Sequence, residues 1–350
     1  MKAGVLHAPH DLRIEDRPDP SFGDDDVVVE VIYNGLCGTD ATEYGKGPMM
    51  VPLFAAHPGS GHQGPTTLGH EFIGTVVDAG INARHRIGER IACGAGVSCG
   101  HCRWCVAGRT NLCAGYYTLG LSTHGGLAEF VAAPSTICVG IPDHLADIDA
   151  GLAQPLAVGI HSVDRANLAP GDTVVLLGVG AIGTFICSAL AGHDGPVVAL
   201  DIDAGRLAVA REVGATDTHL IDAEATAADL RDLVPEGAQV VFETSGVLGS
   251  AERAFALAAR GGNVVLVGLN KTPQPLNLAD IVLREVNVQT TVAHVCGHDI
   301  PAALELLAKV PLSRILPARV IPLDNVVSEG LEPLVAGKVS GKLLVDPRRG

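Results

Sequence analysis

The feature that most constrains the fold is an apolar run ending in a glycine-rich turn. Thr173-Val174-Val175-Leu176-Leu177 reads as a buried strand and runs straight into Gly178-Val179-Gly180-Ala181-Ile182-Gly183, a G-x-G-x-x-G. A helical stretch, Ala181 to Ala191, follows. In that setting the first glycine permits the tight turn, the second lets the backbone approach a pyrophosphate, and the third lets helix and strand pack closely. A pyrophosphate then rests on the helix N-terminus, where free N–H groups and the dipole favour an anion. Asp201 lies 18 residues beyond Gly183, at the end of a second apolar run, Val197-Val198-Ala199-Leu200. A carboxylate there can accept from both ribose hydroxyls of NAD and repels the 2′-phosphate of NADP. Arg206 is the next cation along the chain. The alternative is a structural turn with a helix-capping Asp, which needs strand, turn, helix and acid to fall into register without a ligand.

Strand and helix continue to alternate. Leu207 to Val213 is helical and ends at Gly214. Gln239-Val240-Val241-Phe242 and Asn263 to Val267 are further apolar strands, separated by a helix from Ser250 to Arg260, and Val286 to Thr290 is one more. Strands that are apolar on both faces, alternating with helices, imply an α/β doubly wound parallel sheet covered on both sides. The first 150 residues have a different texture. Their β-like runs, such as Val27 to Ile32 and Phe72 to Val77, are short and broken by Gly and Pro, as in a small irregular β domain. Gly45 to Thr67 is rich in both residues and predicts a long surface loop.

Composition narrows the function. A chain of 350 residues suggests two domains. Its net charge of -15 and aromatic content of 3% argue against a nucleic-acid partner. No signal-peptide core and no long apolar span are present, so neither secretion nor a membrane is expected and the cytoplasm is the expected location. In that reducing setting nine cysteines read as metal ligands, catalytic thiols or buried small hydrophobes.

Cys99, Cys102, Cys105 and Cys113 form a C-x-x-C-x-x-C-x7-C array. Four thiolates can close a tetrahedral shell around a structural zinc; an iron–sulfur cluster is the alternative. Cys93 and His101 are nearby spares. A second, dispersed set is Cys37 in Gly35-Leu36-Cys37-Gly38-Thr39-Asp40 and His70-Glu71 in Leu68-Gly69-His70-Glu71. Each alone is ordinary. Together they supply thiolate, imidazole and carboxylate, as a catalytic zinc with an open position requires.

Cys-Gly-Thr-Asp, Gly-His-Glu, the four-cysteine lobe, Gln154-Pro155-Leu156-Ala157-Val158 and the glycine turn occur in an order that resembles the zinc-dependent medium-chain alcohol dehydrogenases. The butanediol and sorbitol (polyol) dehydrogenase branch is the most similar. The Pro-rich loop and the closing Gly341-Lys342-Leu343-Leu344-Val345-Asp346-Pro347 favour the butanediol side. The resemblance implies a GroES-like β catalytic domain over residues 1–154, completed by 294–350, and a Rossmann NAD-binding domain over 155–293. It implies a catalytic zinc on Cys37, His70 and Glu71 and a structural zinc on the four-cysteine lobe. Thr39 would begin a proton relay, Asp40 would orient His70, and Lys342 would face the pyrophosphate. Two positions depart from the family. Gln154 stands where Glu is usual, so it would hold a metal-bound water by hydrogen bonding. Thr42 stands where many relatives have the relay His, a step that a water, His57 or His62 could replace. The implied reaction is hydride transfer between NAD and a secondary alcohol, such as 2,3-butanediol with acetoin as its product. Polyols and cyclic or terpenoid alcohols are the neighbouring options, and a non-catalytic NAD- and zinc-binding protein is the rival from another class. A homodimer through the Val286–Thr290 edge or a homotetramer is implied as well.

Overall fold

A computed structural model describes residues 1–269 and 272–349. The chain divides into two units, Met1–Ala157 with His294–Gly350, and Val158–Ala293.

The first unit is built mainly on one sheet. Its strands run in the order Cys138–Gly140, Arg90–Cys93, Glu71–Ala79, Asp26–Gly35, Lys342–Asp346, Ala318–Pro322, and Phe130–Pro134 also pairs with Asp26–Gly35. All of these pairings are antiparallel except that of Ala318–Pro322 with Lys342–Asp346. Val27, Val29 and Val31 fill one core with Phe72, Val76 and Ile91, while Leu6, Leu68, Leu127, Leu343 and Val345 fill another. Each such side chain stabilises the fold by about 1.5–3 kcal/mol on burial. The consequence for function is local. Gly35 pairs with Glu71 on one side and with Leu344 on the other, so two remote strands meet at the strand end that leads into Cys37. Within the Pro- and Gly-rich segment, helix Gly38–Lys46 takes the first residues, and Thr66–Thr67 pair with Leu6 and Val5.

The second unit is a six-stranded parallel sheet in the order Asp217–Leu220, Val197–Asp201, Val174–Leu177, Ala238–Glu243, Ala258–Leu266, Asn287–Thr290. Numbered along the chain this is 3-2-1-4-5-6, the doubly wound order that leaves a crevice where the winding reverses. The switch lies between Val174–Leu177 and Ala238–Glu243. Both strands are almost wholly buried, which is why they read as continuous apolar runs.

Some boundaries differ from expectation. The helix starting at Ser250 ends at Leu257, three residues before Arg260, because Ala258 is already extended and pairs with Ala238. The helix expected from Leu207 starts at Ala204, where the Asp203 side chain caps it by accepting the Arg206 N–H at 3.0 Å. The strand Asp217–Leu220 has no counterpart in the sequence reading. Among the described residues no helix is long and apolar enough to cross a membrane.

Candidate active site and metal centres

Cys37 caps helix Gly38–Lys46, and Asp40 Oδ2 accepts the Cys37 N–H at 2.9 Å. His70 and Glu71 follow a turn at Gly69, whose φ of 96° is left-handed. That turn is closely packed: a Cβ on Gly120 would come within 2.2 Å of the Gly69 carbonyl oxygen, and one on Gly125 within 2.1 Å. Glycines therefore let three backbone segments meet behind His70. The result is that one ligand atom each from Cys37, His70 and Glu71 lie within 4.8 Å of one another.

The electrostatics of this cluster suit a cation. Asp40 is fully buried, with Oδ1 3.4 Å from His70 Nδ1, which leaves Nε2 as the nitrogen available to a metal. Burial opposes a charge on His70, yet Asp40 and the Cys37 sulfur outweigh it and hold the imidazole well above its ordinary pKa. Asp40 Oδ1, His70 Nδ1 and Glu71 Oε2 are buried without a well-directed hydrogen bond. A sulfur, an imidazole and a carboxylate gathered within reach of one another combine soft and hard donors and fit a zinc ion.

Lys342 adds a cation that already belongs to the cluster. Its ammonium is buried in close contact with Glu71 Oε2. Burial alone would lower its pKa, but Glu71, Cys37 and Asp40 raise it. The sequence reading missed this pairing and pointed Lys342 toward a pyrophosphate instead.

The other expected residues are distributed as follows. Thr39 Oγ1 lies 3.7 Å from Cys37 Sγ. Gln154 is half-buried in the first turn of helix Ala153–Asp164 and makes no hydrogen bond to Cys37, His70 or Glu71 among the described residues. Thr42 sits one helical turn beyond Thr39. His57 and His62 serve the loop itself: His57 Nδ1 accepts from the Gly59 and Ser60 N–H groups, and His62 Nε2 lies 2.9 Å from Thr66 Oγ1.

The four-cysteine lobe is compact. Ligand atoms of Cys99, Cys102, Cys105 and Cys113 lie within 4.8 Å of one another, with Cys102 and Cys105 sulfurs at 3.6 Å and Cys99 and Cys105 at 4.0 Å. A tetrahedron with metal–sulfur bonds of about 2.3 Å has edges of about 3.8 Å, so the array fits zinc. Backbone N–H groups aimed at sulfur favour thiolates, and the Cys105 N–H is foremost in pulling Cys102 down to about 6. His101 Nδ1 lies against the Cys99 carbonyl, and Cys93 is buried in a sheet strand.

The glycine turn has the expected shape. Gly178 has φ 94°, and a Cβ on Gly183 would meet the Gly178 carbonyl at 2.2 Å. A Cβ on Gly180 would meet nothing within 4 Å, so the space before the helix is open to a ligand. Ala181 is exposed and Ile182 half-buried in the first turn of helix Ala181–Ala189. Asp201 is buried; Oδ2 accepts the Val179 N–H at 2.7 Å and Oδ1 the Asp203 N–H at 3.0 Å. Arg206 Nη1 is 3.7 Å from Oδ1. Gly178, Gly180, Asp201, Arg206, Thr244 and Arg253 line one cavity of about 480 Å³, large enough for part of a dinucleotide.

Comparison with known proteins agrees with this geometry. Residues 23–143 match the alcohol dehydrogenase GroES-like domain, and residues 168–309 match the zinc-binding dehydrogenase family. A sorbitol dehydrogenase of Bacillus subtilis is 30% identical over 313 residues, 88% of this chain and 86% of the relative. The crystal structure of 2R,3R-butanediol dehydrogenase from Bacillus subtilis superposes with a TM-score of 0.89 at 28% identity, covering 99% of each chain. A protein of Sinorhizobium meliloti 1021 described as a zinc-binding dehydrogenase, bound to NADP, superposes with a TM-score of 0.85 at 30% identity, again covering 99% of each chain. An α/β chain with a GroES-like unit and a doubly wound parallel unit, this protein belongs to the zinc-dependent alcohol dehydrogenase family.

Proposed function

We propose that the protein transfers hydride between NAD and a secondary alcohol, with a vicinal diol and its hydroxyketone, such as 2,3-butanediol and acetoin, as the substrate pair. The observation that carries this reading is the convergence of Cys37, His70 and Glu71 within 4.8 Å, with the Thr39 hydroxyl beside them. In this reading each chain holds two zinc ions, a catalytic one on those three residues and a structural one on Cys99, Cys102, Cys105 and Cys113. The likeness to 2R,3R-butanediol dehydrogenase across 99% of the chain favours a diol, and the sorbitol dehydrogenase relative makes a longer polyol the second reading.

Zinc, when bound, supplies a Lewis acid that acidifies the alcohol, and the nicotinamide supplies the hydride acceptor. The chain's own residues do the rest. Thr39 hydrogen-bonds the substrate hydroxyl and relays its proton outward, giving up its own hydroxyl proton toward solvent as it accepts the substrate's. Asp40 holds the His70 ring in one tautomer. Lys342 fixes the Glu71 carboxylate, and Gln154 orients water at the open position by hydrogen bonding, since an amide cannot take up a proton there. Asp201, anchored by two backbone N–H groups, keeps lone pairs for ribose hydroxyls and favours NAD. Arg206 lines the same cavity and makes NADP the competing cofactor, in keeping with the NADP-bound relative.

Association as a homodimer is part of the proposal. The edge strand Asn287–Thr290 is largely exposed, as are Val282, Leu283, Val288 and Val292 around it. Free cysteines throughout the chain suit the cytoplasm.

The test is reduction of NAD and of NADP by zinc-replete protein given each 2,3-butanediol stereoisomer, sorbitol and a simple primary alcohol. Turnover with one butanediol isomer and NAD above all other pairs is the expected result. A higher kcat/KM for sorbitol, or for NADP, would overturn the corresponding part of the reading.

A further inference from the structure

We propose, on the NAD reading above, that Thr244 is a positioning residue of the dinucleotide site, clamping the glycine turn from the side opposite Asp201 and itself held in place by Glu243. Thr244 directly follows strand Ala238–Glu243, which pairs with Val174–Leu177, the strand that leads into the glycine turn. Its Oγ1 donates to the Gly178 carbonyl at 2.5 Å. The N–H of the same peptide unit, that of Val179, is taken by Asp201 Oδ2 at 2.7 Å. One peptide plane is thus gripped at both ends, from the two strands that flank Val174–Leu177. Thr184 Oγ1 donates to the next carbonyl, that of Val179, at 3.1 Å.

The grip falls where the backbone most needs one. Gly178 has φ 94°, and a glycine there is free to leave that conformation unless something outside the turn restrains it. The Gly178–Val179 peptide leads into Gly180 and the first free N–H groups of helix Ala181–Ala189, on which a pyrophosphate rests. A turn ordered before its ligand arrives loses less entropy on binding. Thr244 needs an anchor of its own, and Glu243 supplies it. The Glu243 carboxylate is buried, and its Oε1 accepts the Ser245 N–H at 2.9 Å, the Ser245 hydroxyl at 2.6 Å and the Gly246 N–H at 3.0 Å. Bonds to an ionised acceptor are the strong ones. The Glu243 carbonyl accepts the Val267 and Gly268 N–H groups, each at 2.9 Å. A Cβ on Gly268 would fall 2.3 Å from the Gly246 nitrogen and 2.8 Å from Glu243 Oε2, so these two turns meet backbone to backbone. Glu243 and Thr244 therefore join the turns that follow three neighbouring strands. Gly178, Gly180, Asp201, Thr244 and Ser245 line the same cavity of about 480 Å³.

The experiment is a calorimetric titration of the zinc-loaded protein with NAD, for the parent, Thr244→Val, Thr244→Ser and Glu243→Gln. Melting temperature and amide hydrogen exchange without dinucleotide are measured on the same samples. Thr244→Val removes the donor and should weaken NAD binding by about tenfold, the worth of one hydrogen bond. It should also speed exchange of the Val179 amide, and in turnover the loss should fall on KM for NAD more than on kcat. Thr244→Ser keeps the hydroxyl and should bind NAD within about twofold of the parent. Glu243→Gln puts a neutral acceptor in place of a charged one and should weaken NAD through the same turn. If Glu243→Gln does not fold, the two Thr244 variants decide. A lower melting temperature with unchanged NAD affinity in Thr244→Val would make the hydroxyl purely structural and overturn the proposal. Equal losses in Thr244→Val and Thr244→Ser would overturn it too, as would weaker binding with unchanged Val179 exchange, the mark of direct contact. If the parent binds NADP and not NAD, the NAD reading alone falls, and the same variants titrated with NADP decide the clamp. A parent that binds neither overturns both.

Discussion

Gly35 is a glycine because two other side chains occupy the place of its Cβ. A methyl there would sit 2.3 Å from Glu71 Oε2 and 3.1 Å from Lys342 Cε. Neither atom is the loose end of an exposed chain; both belong to a buried ion pair. Breaking such a pair is costly, so the carboxylate has to shift as a unit with its lysine. We therefore expect Gly35→Ala to lose the metal held by Cys37, His70 and Glu71 while keeping that of the four-cysteine lobe. Metal analysis would show about half the zinc of the parent protein, with the circular dichroism spectrum unchanged. Full zinc content with full turnover would show that Glu71 is not a ligand. At this scale the sequence was informative where chemistry is local. The cysteine array and the glycine turn are spelled out by spacing within a few residues. The Lys342–Glu71 contact is not, because it joins two strands that meet only in the folded sheet.

The turn from Thr67 to Gly69 shows how an element positions a ligand it does not contain. It is held by Gly125 N–H to the Thr67 carbonyl, by Gly126 N–H to the Gly69 carbonyl, and by the Thr67 N–H to His124. The last bond uses the unprotonated form of His124, and this sets a pH dependence. In the unfolded chain the imidazole takes up a proton near about 6.5. In the fold, burial together with His62 and Arg17 delays that to about 4. Between these values the unfolded state binds more protons, so stability falls as the pH drops through the window and is unaffected by His124 above it. His124→Asn should flatten this part of the melting-temperature profile. A parallel decline in parent and variant would mean that His124 does not titrate with folding. Secondary elements were legible in proportion to their apolar content. Strands Val174–Leu177 and Val197–Asp201 are buried and announce themselves. Asp217–Leu220 is a polar, mostly exposed strand at the sheet edge, with no apolar pattern to find. The overlong helix after Ser250 has the opposite cause: Ala258 and Ala259 suit a helix, but pairing of Ala258 with Ala238 claims them for the sheet.

On the scale of the whole molecule, the two units carry distinct tasks. The doubly wound unit has its glycine turn and Asp201 lining one cavity, and the mixed β unit gathers both candidate metal clusters. Alternation of strands and helices was enough to imply the first architecture. The return of the last residues to the β unit was legible only through the family resemblance. Pairing of Lys342–Asp346 with Asp26–Gly35 leaves no local mark. Asn287–Thr290 is an edge of the parallel sheet and pairs with no further strand among the described residues. If two copies pair there, Val288→Lys should convert a dimer into a monomer in light scattering, because like charges would face each other across the two-fold axis. An unchanged mass would place the contact elsewhere. The account as a whole rests on Cys37, His70 and Glu71 forming a catalytic metal centre distinct from the four-cysteine lobe. The most direct test is the zinc content of Cys37→Ser, measured alongside its alcohol turnover. Loss of about one zinc of two, with turnover abolished and the fold intact, is the predicted result; undiminished zinc or retained turnover would contradict the account.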